Sequence, residues 1–154
     1  MVAQSSQVPH IDPTFLSVFR FGGLMAIATD HPAETQTKYY TPDEDVLVPS
    51  PDRNVFFGPA MRSNKGATKN DILGTTVLWV DADDPQKPLS TLPPSMIVAS
   101  GRGYHMYWIL TGPLLDIQMM EDLNKLLVED VPTADKGAWN ANRVLRVPDT
   151  MNMK

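Results

Sequence analysis

The residues best suited to chemistry in this chain begin with two acids, Asp81 and Asp83, at the end of the run Thr75-Thr76-Val77-Leu78-Trp79-Val80. On an extended strand end, residues i and i+2 point to the same side. The two carboxylates therefore converge, which is costly unless a cation lies between them. Hard oxygen donors of this kind suit Mg²⁺ or Mn²⁺. Read alone, a solvated acidic turn after a buried strand explains the pair at least as simply. Asp84 is a third nearby acid whose side faces away.

A second group is Ser100-Gly101-Arg102-Gly103-Tyr104-His105. A turn of small residues exposes backbone N–H groups that can cradle anionic oxygens. His105 opens the strand that follows and shares a face with Tyr107 and Ile109. It suits phosphate binding or the plainer role of a hydrogen-bonded sheet histidine. A third group runs Arg143-Val144-Leu145-Arg146-Val147-Pro148-Asp149-Thr150-Met151-Asn152-Met153-Lys154. Two arginines and a lysine around a proline turn suit phosphate, or a surface strand with solvated charges. On a regular strand Arg143 and Arg146 fall on opposite faces, so only one needs to point at a site.

The chain that must position these groups has 154 residues, 42% of them hydrophobic and 20% charged. A domain of this size hides roughly 70% of the surface its unfolded chain exposes. Fourteen prolines predict stiff, helix-poor connections. Zero cysteines exclude disulfides, Cys-ligated zinc, iron–sulfur clusters and thiol nucleophiles within the chain. Residues 1–10 lack a basic region followed by an apolar core, and no apolar run approaches the roughly 20 residues that span a bilayer. A cytoplasmic protein without membrane contact is therefore expected. The net charge of −5 argues against a general coat for nucleic acid, though not against a local basic strip.

The elements follow from pattern. Residues 1–13 read as a loose leader. Residues 15–29 read as helix and strand, broken at Gly22-Gly23. Residues 30–54 read as loop with a brief strand at 46–48. A strand is predicted at 55–60, then a mobile basic loop over 53–70 carrying Arg62, Lys65 and Lys69. The β-branched run 75–80 predicts a strand buried on both faces. Residues 96–110 predict a hairpin turning at 100–103, stopped by Gly112-Pro113. Asp116 is placed to cap a helix through Glu129. A last strand is expected at 143–147. The order gives an α+β fold with a mainly antiparallel sheet.

Each group is weak alone, but their order is specific. Asp81-x-Asp83 after a buried strand, then Ser100 to His105 on a hairpin, a helix, and Arg143-x-x-Arg146-Val147-Pro148 resembles the catalytic core of the archaeo-eukaryotic primase superfamily. The resemblance is in particular to primase-polymerase domains of plasmids, phages and other mobile elements. It runs from about Phe56 to Lys154. The resemblance implies a two-lobed α+β core: a small α/β lobe over 14–74 and a lobe like an RNA-recognition fold over 75–154. It implies template-directed nucleotidyl transfer, as DNA primase or polymerase, with two Mg²⁺ or Mn²⁺ ions. Asp81 and Asp83 would be ligands, with a third acid among Asp130, Asp135 and Asp149. Asp135 is favoured because it lies a short loop ahead of the Arg143–Arg146 strand. With His105 these acids form the catalytic set.

Ser100, Gly101, Gly103, His105, Arg143, Arg146 and Lys154 would bind the nucleotide, and Arg62, Lys65 and Lys69 the template phosphates. The partners implied are single-stranded DNA template, primer and nucleoside triphosphates, with room for a helicase or accessory domain outside this chain. Asp149 stands where the family usually has glycine; Asp tolerates left-handed backbone better than most residues. The sequence stops on the motif at Lys154, as a fragment or minimal domain of a longer replication protein would. No Walker-type phosphate loop is present. Two other classes compete. An Mn²⁺-dependent Asp-x-Asp glycosyltransferase leaves the His105 turn and the arginines without a role. A non-catalytic nucleic-acid-binding module, or an inactive relative, leaves Asp81 and Asp83 unexplained.

Overall fold

The computed structural model describes residues 13–31, 34–46 and 54–148. A short helix α1 (Pro13–Ser17) leads into β1 (Met25–His31) and β2 (Glu34–Tyr40), followed by β3 (Asn54–Phe57) and β4 (Met61–Arg62). A single 3-10 turn, Lys69–Asp71, precedes β5 (Ile72–Ala82). Then come β6 (Met96–Ala99), β7 (Tyr104–Leu114), α2 (Ile117–Asp130) and β8 (Leu145–Arg146). The strands form two four-stranded sheets, ordered β2-β1-β3-β8 and β4-β5-β7-β6, with every pair antiparallel. The α+β class expected from the sequence is the one observed.

The sheets interleave along the chain. β4 comes from the front of the sequence yet pairs with β5. β8 comes from the end yet pairs with β3 of the first sheet. A division into lobes at residues 74 and 75 therefore does not coincide with the sheets. The reason is that each sheet borrows an edge strand from the other half of the chain.

The β5–β7 ladder sets two faces. Trp79 lies opposite Tyr107 and Asp81 opposite His105, and directly paired residues share a face. That face meets the first sheet through an aromatic cluster. Phe19 packs edge-on to Phe57 of β3 at 4.8 Å and to Tyr107 of β7 at 5.3 Å. Phe15 touches the same two rings. Such edge-to-face pairs add roughly 0.5–1.5 kcal/mol each beyond their burial. The opposite face, with Leu78 and Met106, carries α2, whose Met120, Leu127 and Val128 are buried. Asp116 caps α2 as predicted, accepting the Met119 N–H at 3.0 Å.

Three local expectations are corrected. β2, with the polar sequence Glu-Thr-Gln-Thr-Lys-Tyr-Tyr, was expected to be mostly loop. It is an edge strand whose Gln36, Thr37 and Lys38 stay in water, so it needs little apolar patterning. Gly112-Pro113 does not end β7. The register slips there, Thr75 facing Leu114 and Val77 facing Ile109, and an irregular ladder tolerates a residue without an N–H. The 53–70 segment is not an open loop. Ser63 N–H donates to Asp71 O at 2.8 Å, Thr68 Oγ1 donates to Asp71 Oδ2 at 2.8 Å, and Asn142 Nδ2 donates to Ala67 O at 2.9 Å. The strand candidate at 46–48 falls largely outside the described residues. Among the described residues no helix is long and apolar enough to cross a membrane.

A buried amide joins helix to sheet. Asn124 on α2 is fully buried, accepts the Trp79 N–H at 3.1 Å and donates to Trp139 O at 3.4 Å. Asn124→Leu should lower unfolding free energy by about 1–3 kcal/mol, because a buried N–H loses its acceptor. Urea denaturation measures this, and an unchanged midpoint would count against the bond. Asp122→Ala, on the exposed side of the same helix, should cost less than about 0.5 kcal/mol.

Candidate active site

The site forms where β5 ends between the two sheets. Asp81 is the penultimate residue of β5 and only 8% exposed. Asp83 lies two residues on, beyond the strand, and is exposed. Burial raises the pKa of Asp81, and the charge of Asp83 raises it further; the Arg143 guanidinium pulls it back down. Asp84 is turned aside as expected, its Oδ1 accepting the Gln86 N–H at 2.8 Å.

Backbone contacts place one of the candidate third acids beside Asp81. Ala82 bridges to Ala134, and the Asp135 N–H donates to Asp81 O at 2.7 Å. The 131–142 loop is therefore laid against the end of β5, which brings Asp135 beside Asp81. Asp130 lies elsewhere, accepting the Thr91 N–H at 2.7 Å and the Thr91 hydroxyl at 2.6 Å. Asp149 and Lys154 lie outside the described residues. Arg143 Nη2 lies 3.2 Å from Asp81 Oδ2 and 3.3 Å from Asp135 Oδ2.

His105 is buried directly across the ladder from Asp81, with Nε2 3.5 Å from Asp81 Oδ1. Its pKa is pushed down to about 4, first by burial and then by the charges of Arg143 and Arg146. The ring is neutral at pH 7, so its contact with Asp81 is a polar contact and not an ion pair. Its Nδ1 lies 3.5 Å from the hydroxyl of buried Tyr107.

The hairpin tip closes the cleft. Gly101 has φ +97°, at the first central position of the two-residue loop Gly101-Arg102; hairpin turns with positive φ there favour glycine. The Ser100 N–H donates to Gly103 O at 2.9 Å, so that amide closes the turn and is not free to cradle an anion. Gly103 is buried because the turn presses on the end of β5: a Cβ there would meet Ala82 O at 2.0 Å. Ser100 lines the cleft.

The cleft, about 170 Å³, is lined by Phe56, Asp81, Asp83, Ser100, Arg102, His105, Arg143, Val144, Leu145 and Arg146. Both arginines of the last motif face it. The alternation expected of a strand does not apply, because only Leu145 and Arg146 are in β8 and Arg143 precedes it. Arg146 Nη1 donates to Asn54 Oδ1 at 3.0 Å, and its guanidinium lies 5.0 Å from the Phe56 ring centroid.

Two cleft residues escaped the sequence reading. Arg102 sat inside the recognised turn and was passed over as a spacer; its charge acts on Arg146 strongly enough to lower that pKa, after burial. Phe56 reads as an ordinary strand aromatic until β8 pairs beside it.

The three cations assigned to template do not form a patch. Arg62 is 3% exposed and its Nη1 donates to Gly66 O, so it holds the loop together from inside. A buried guanidinium does not reach a phosphate backbone. Lys69 is half exposed and paired with Glu121 Oε1 of α2. Lys65 alone is fully on the surface.

Three carboxylates offer the hard oxygen donors that Mg²⁺ or Mn²⁺ takes. Among the described residues, however, no group of three acid, His or Cys side chains is already drawn together around one point. The donor chemistry fits; between Asp81 and Asp135 stands the Arg143 guanidinium.

The fold, two antiparallel sheets meeting at this acid-and-arginine cleft, is like that of a solved primase-polymerase domain, the AEP domain of the cyanophage S-2L primase-polymerase. The TM-score is 0.60 at 18% identity, over 81% of this chain and 72% of that one. No protein-family model and no curated protein matches the chain.

Gly103→Ala should lower stability by about 2–3 kcal/mol, since its Cβ collides with backbone and not with a pliant side chain. Gly112→Ala, where a Cβ meets nothing within 4 Å, should cost less than about 0.5 kcal/mol. Thermal unfolding of the pair tests the close approach; equal melting temperatures would refute it.

Proposed function

We propose that the chain is the catalytic domain of a template-directed nucleotidyl transferase, a DNA primase or DNA polymerase serving a phage, plasmid or other mobile element. The observation that carries this is one cleft holding Asp81, Asp83 and His105 against Arg102, Arg143 and Arg146, in a primase-like fold. Acids and arginines lining one cleft suit a nucleoside triphosphate, whose charge needs both a metal ligand set and direct cationic contacts.

In this reading Asp81, Asp83 and Asp135 hold two divalent ions, Mg²⁺ or Mn²⁺. When bound, such ions lower the pKa of an attacking hydroxyl and neutralise the leaving pyrophosphate. The chain's own residues do the positioning. Arg146 is held by Asn54 and by the Phe56 ring where it borders the cleft, which fixes its charge beside an anion bound there. His105 is neutral and can donate one N–H without adding charge. Ser100 and Arg102 border the same space from the hairpin tip. Fixed donors of this kind need little reorganisation as charge shifts during the reaction. Lys65 is left as the template contact among the cations named from the sequence, and Lys154 as a further nucleotide contact. A single-stranded template, a primer and nucleoside triphosphates are the partners, with room for a helicase or accessory domain outside this sequence. The cytoplasm, the host's if phage-encoded, is the place of action. A non-catalytic binding module would use the arginines but would gain nothing from the Asp81–Asp83 repulsion.

The test is synthesis on a single-stranded DNA template with labelled nucleotides and Mg²⁺ or Mn²⁺, with and without primer. Product should require template and fall at least about a hundredfold in Asp81→Ala/Asp83→Ala. The primer-free reaction reports whether the chain also primes. Absence of both product and metal-dependent nucleotide binding would reduce the likeness to fold alone.

A further inference from the structure

Arg143 is placed differently from the other arginines of the cleft. One of its nitrogens, Nη2, bridges Asp81 Oδ2 and Asp135 Oδ2 at 3.2 and 3.3 Å. Its Nε–H is buried and has no hydrogen-bond partner. Strong arginine–carboxylate pairs use two parallel N–H···O bonds from the guanidinium fork. Arg143 makes no such fork with either acid. Its Nη2 is shared between the two acids while its Nε–H has no partner.

The backbone leaves it room to move. Arg143 lies ahead of β8, where its N–H closes a turn onto Asn140 O at 3.0 Å. Its side chain is about one-third exposed, against 12% for Asp81. It also lines the cleft beside Arg102 and Arg146.

We propose that Arg143 is a gate on the cation site: it occupies the gap between Asp81 and Asp135, and it leaves that gap for the cleft's anion when a divalent cation enters. This rests on the proposed function, because it takes those acids as metal ligands. The consequence is thermodynamic. Arg143 opposes cation binding while the cleft is empty, and an anionic nucleotide removes that opposition. Cation and nucleotide then favour each other's binding by the same factor, as linkage requires.

The experiment is Mn²⁺ binding to the whole chain, read from the electron paramagnetic resonance of free Mn²⁺, with and without a nucleoside triphosphate. Arg143→Gln should bind Mn²⁺ on the order of tenfold more tightly than wild type without nucleotide, within the usual span of such couplings. Nucleotide should then add little further tightening. Arg102→Gln, which removes the same charge from the hairpin tip, should change Mn²⁺ affinity much less. Asp81→Asn should abolish the site in every background.

Wild type that binds Mn²⁺ through Asp81 while Arg143→Gln binds no tighter overturns the gate and leaves the proposed function standing. No Asp81-dependent binding in wild type or in Arg143→Gln overturns both. Equal tightening by Arg102→Gln also overturns the gate, since general charge would then suffice. If Arg143→Gln is unfolded without metal, Mn²⁺ should restore its folding. Failure to do so overturns the gate, because a gate is dispensable once the cation is in.

Discussion

A carboxylate buried at the end of a strand, with a second acid just beyond it, is costly to keep charged without help. Asp81 is nearly sealed from water, and Asp83 stands two residues on. Like charges in low dielectric repel strongly, and this constraint organises what surrounds them. The help comes from the far end of the described chain. Arg143 reaches Asp81 across 62 positions of sequence. It can do so because the Asp135 N–H bonds to Asp81 O and pins the intervening loop to the strand. The acids and the arginine are thus held by backbone and not by their own attraction alone.

The same economy holds for the rest of the cleft. β8 is only two residues long, yet it pairs with β3 and sets Arg146 beside Asn54 and Phe56. The first sheet is welded to the second by Phe15, Phe19, Phe57 and Tyr107. Behind the site, Glu121 on α2 accepts the Ala141 N–H at 2.9 Å while pairing with Lys69. One buried carboxylate therefore links the helix, the basic segment and the loop leading to Arg143. A charge that looks like a nucleic-acid contact in the sequence is, in the fold, part of the frame that aims the site.

Local pattern was legible where local physics decides. The buried strand through Val80, the hairpin around residues 100–103 and the Asp116 cap all follow from residue type and short spacing, and each is found. Edges were not legible. β2 and β4 gain stability from one neighbour each, so their sequences carry no strong apolar alternation. The parity argument for Arg143 and Arg146 failed because it assumed a regular strand through both.

The sequence by itself determined the kinds of groups available: paired acids, a glycine turn ahead of a histidine, and two arginines near a proline. It determined them because residue type and strand period act within a few positions of one another. Only the tertiary structure decided that Asp135 and not Asp130 lies beside Asp81, that Arg102 and Phe56 share the cleft, and that Arg62 is buried. Those outcomes depend on which distant segments pack together. A buried arginine and an exposed one are written with the same letter; the difference lies in what the rest of the chain lays over them.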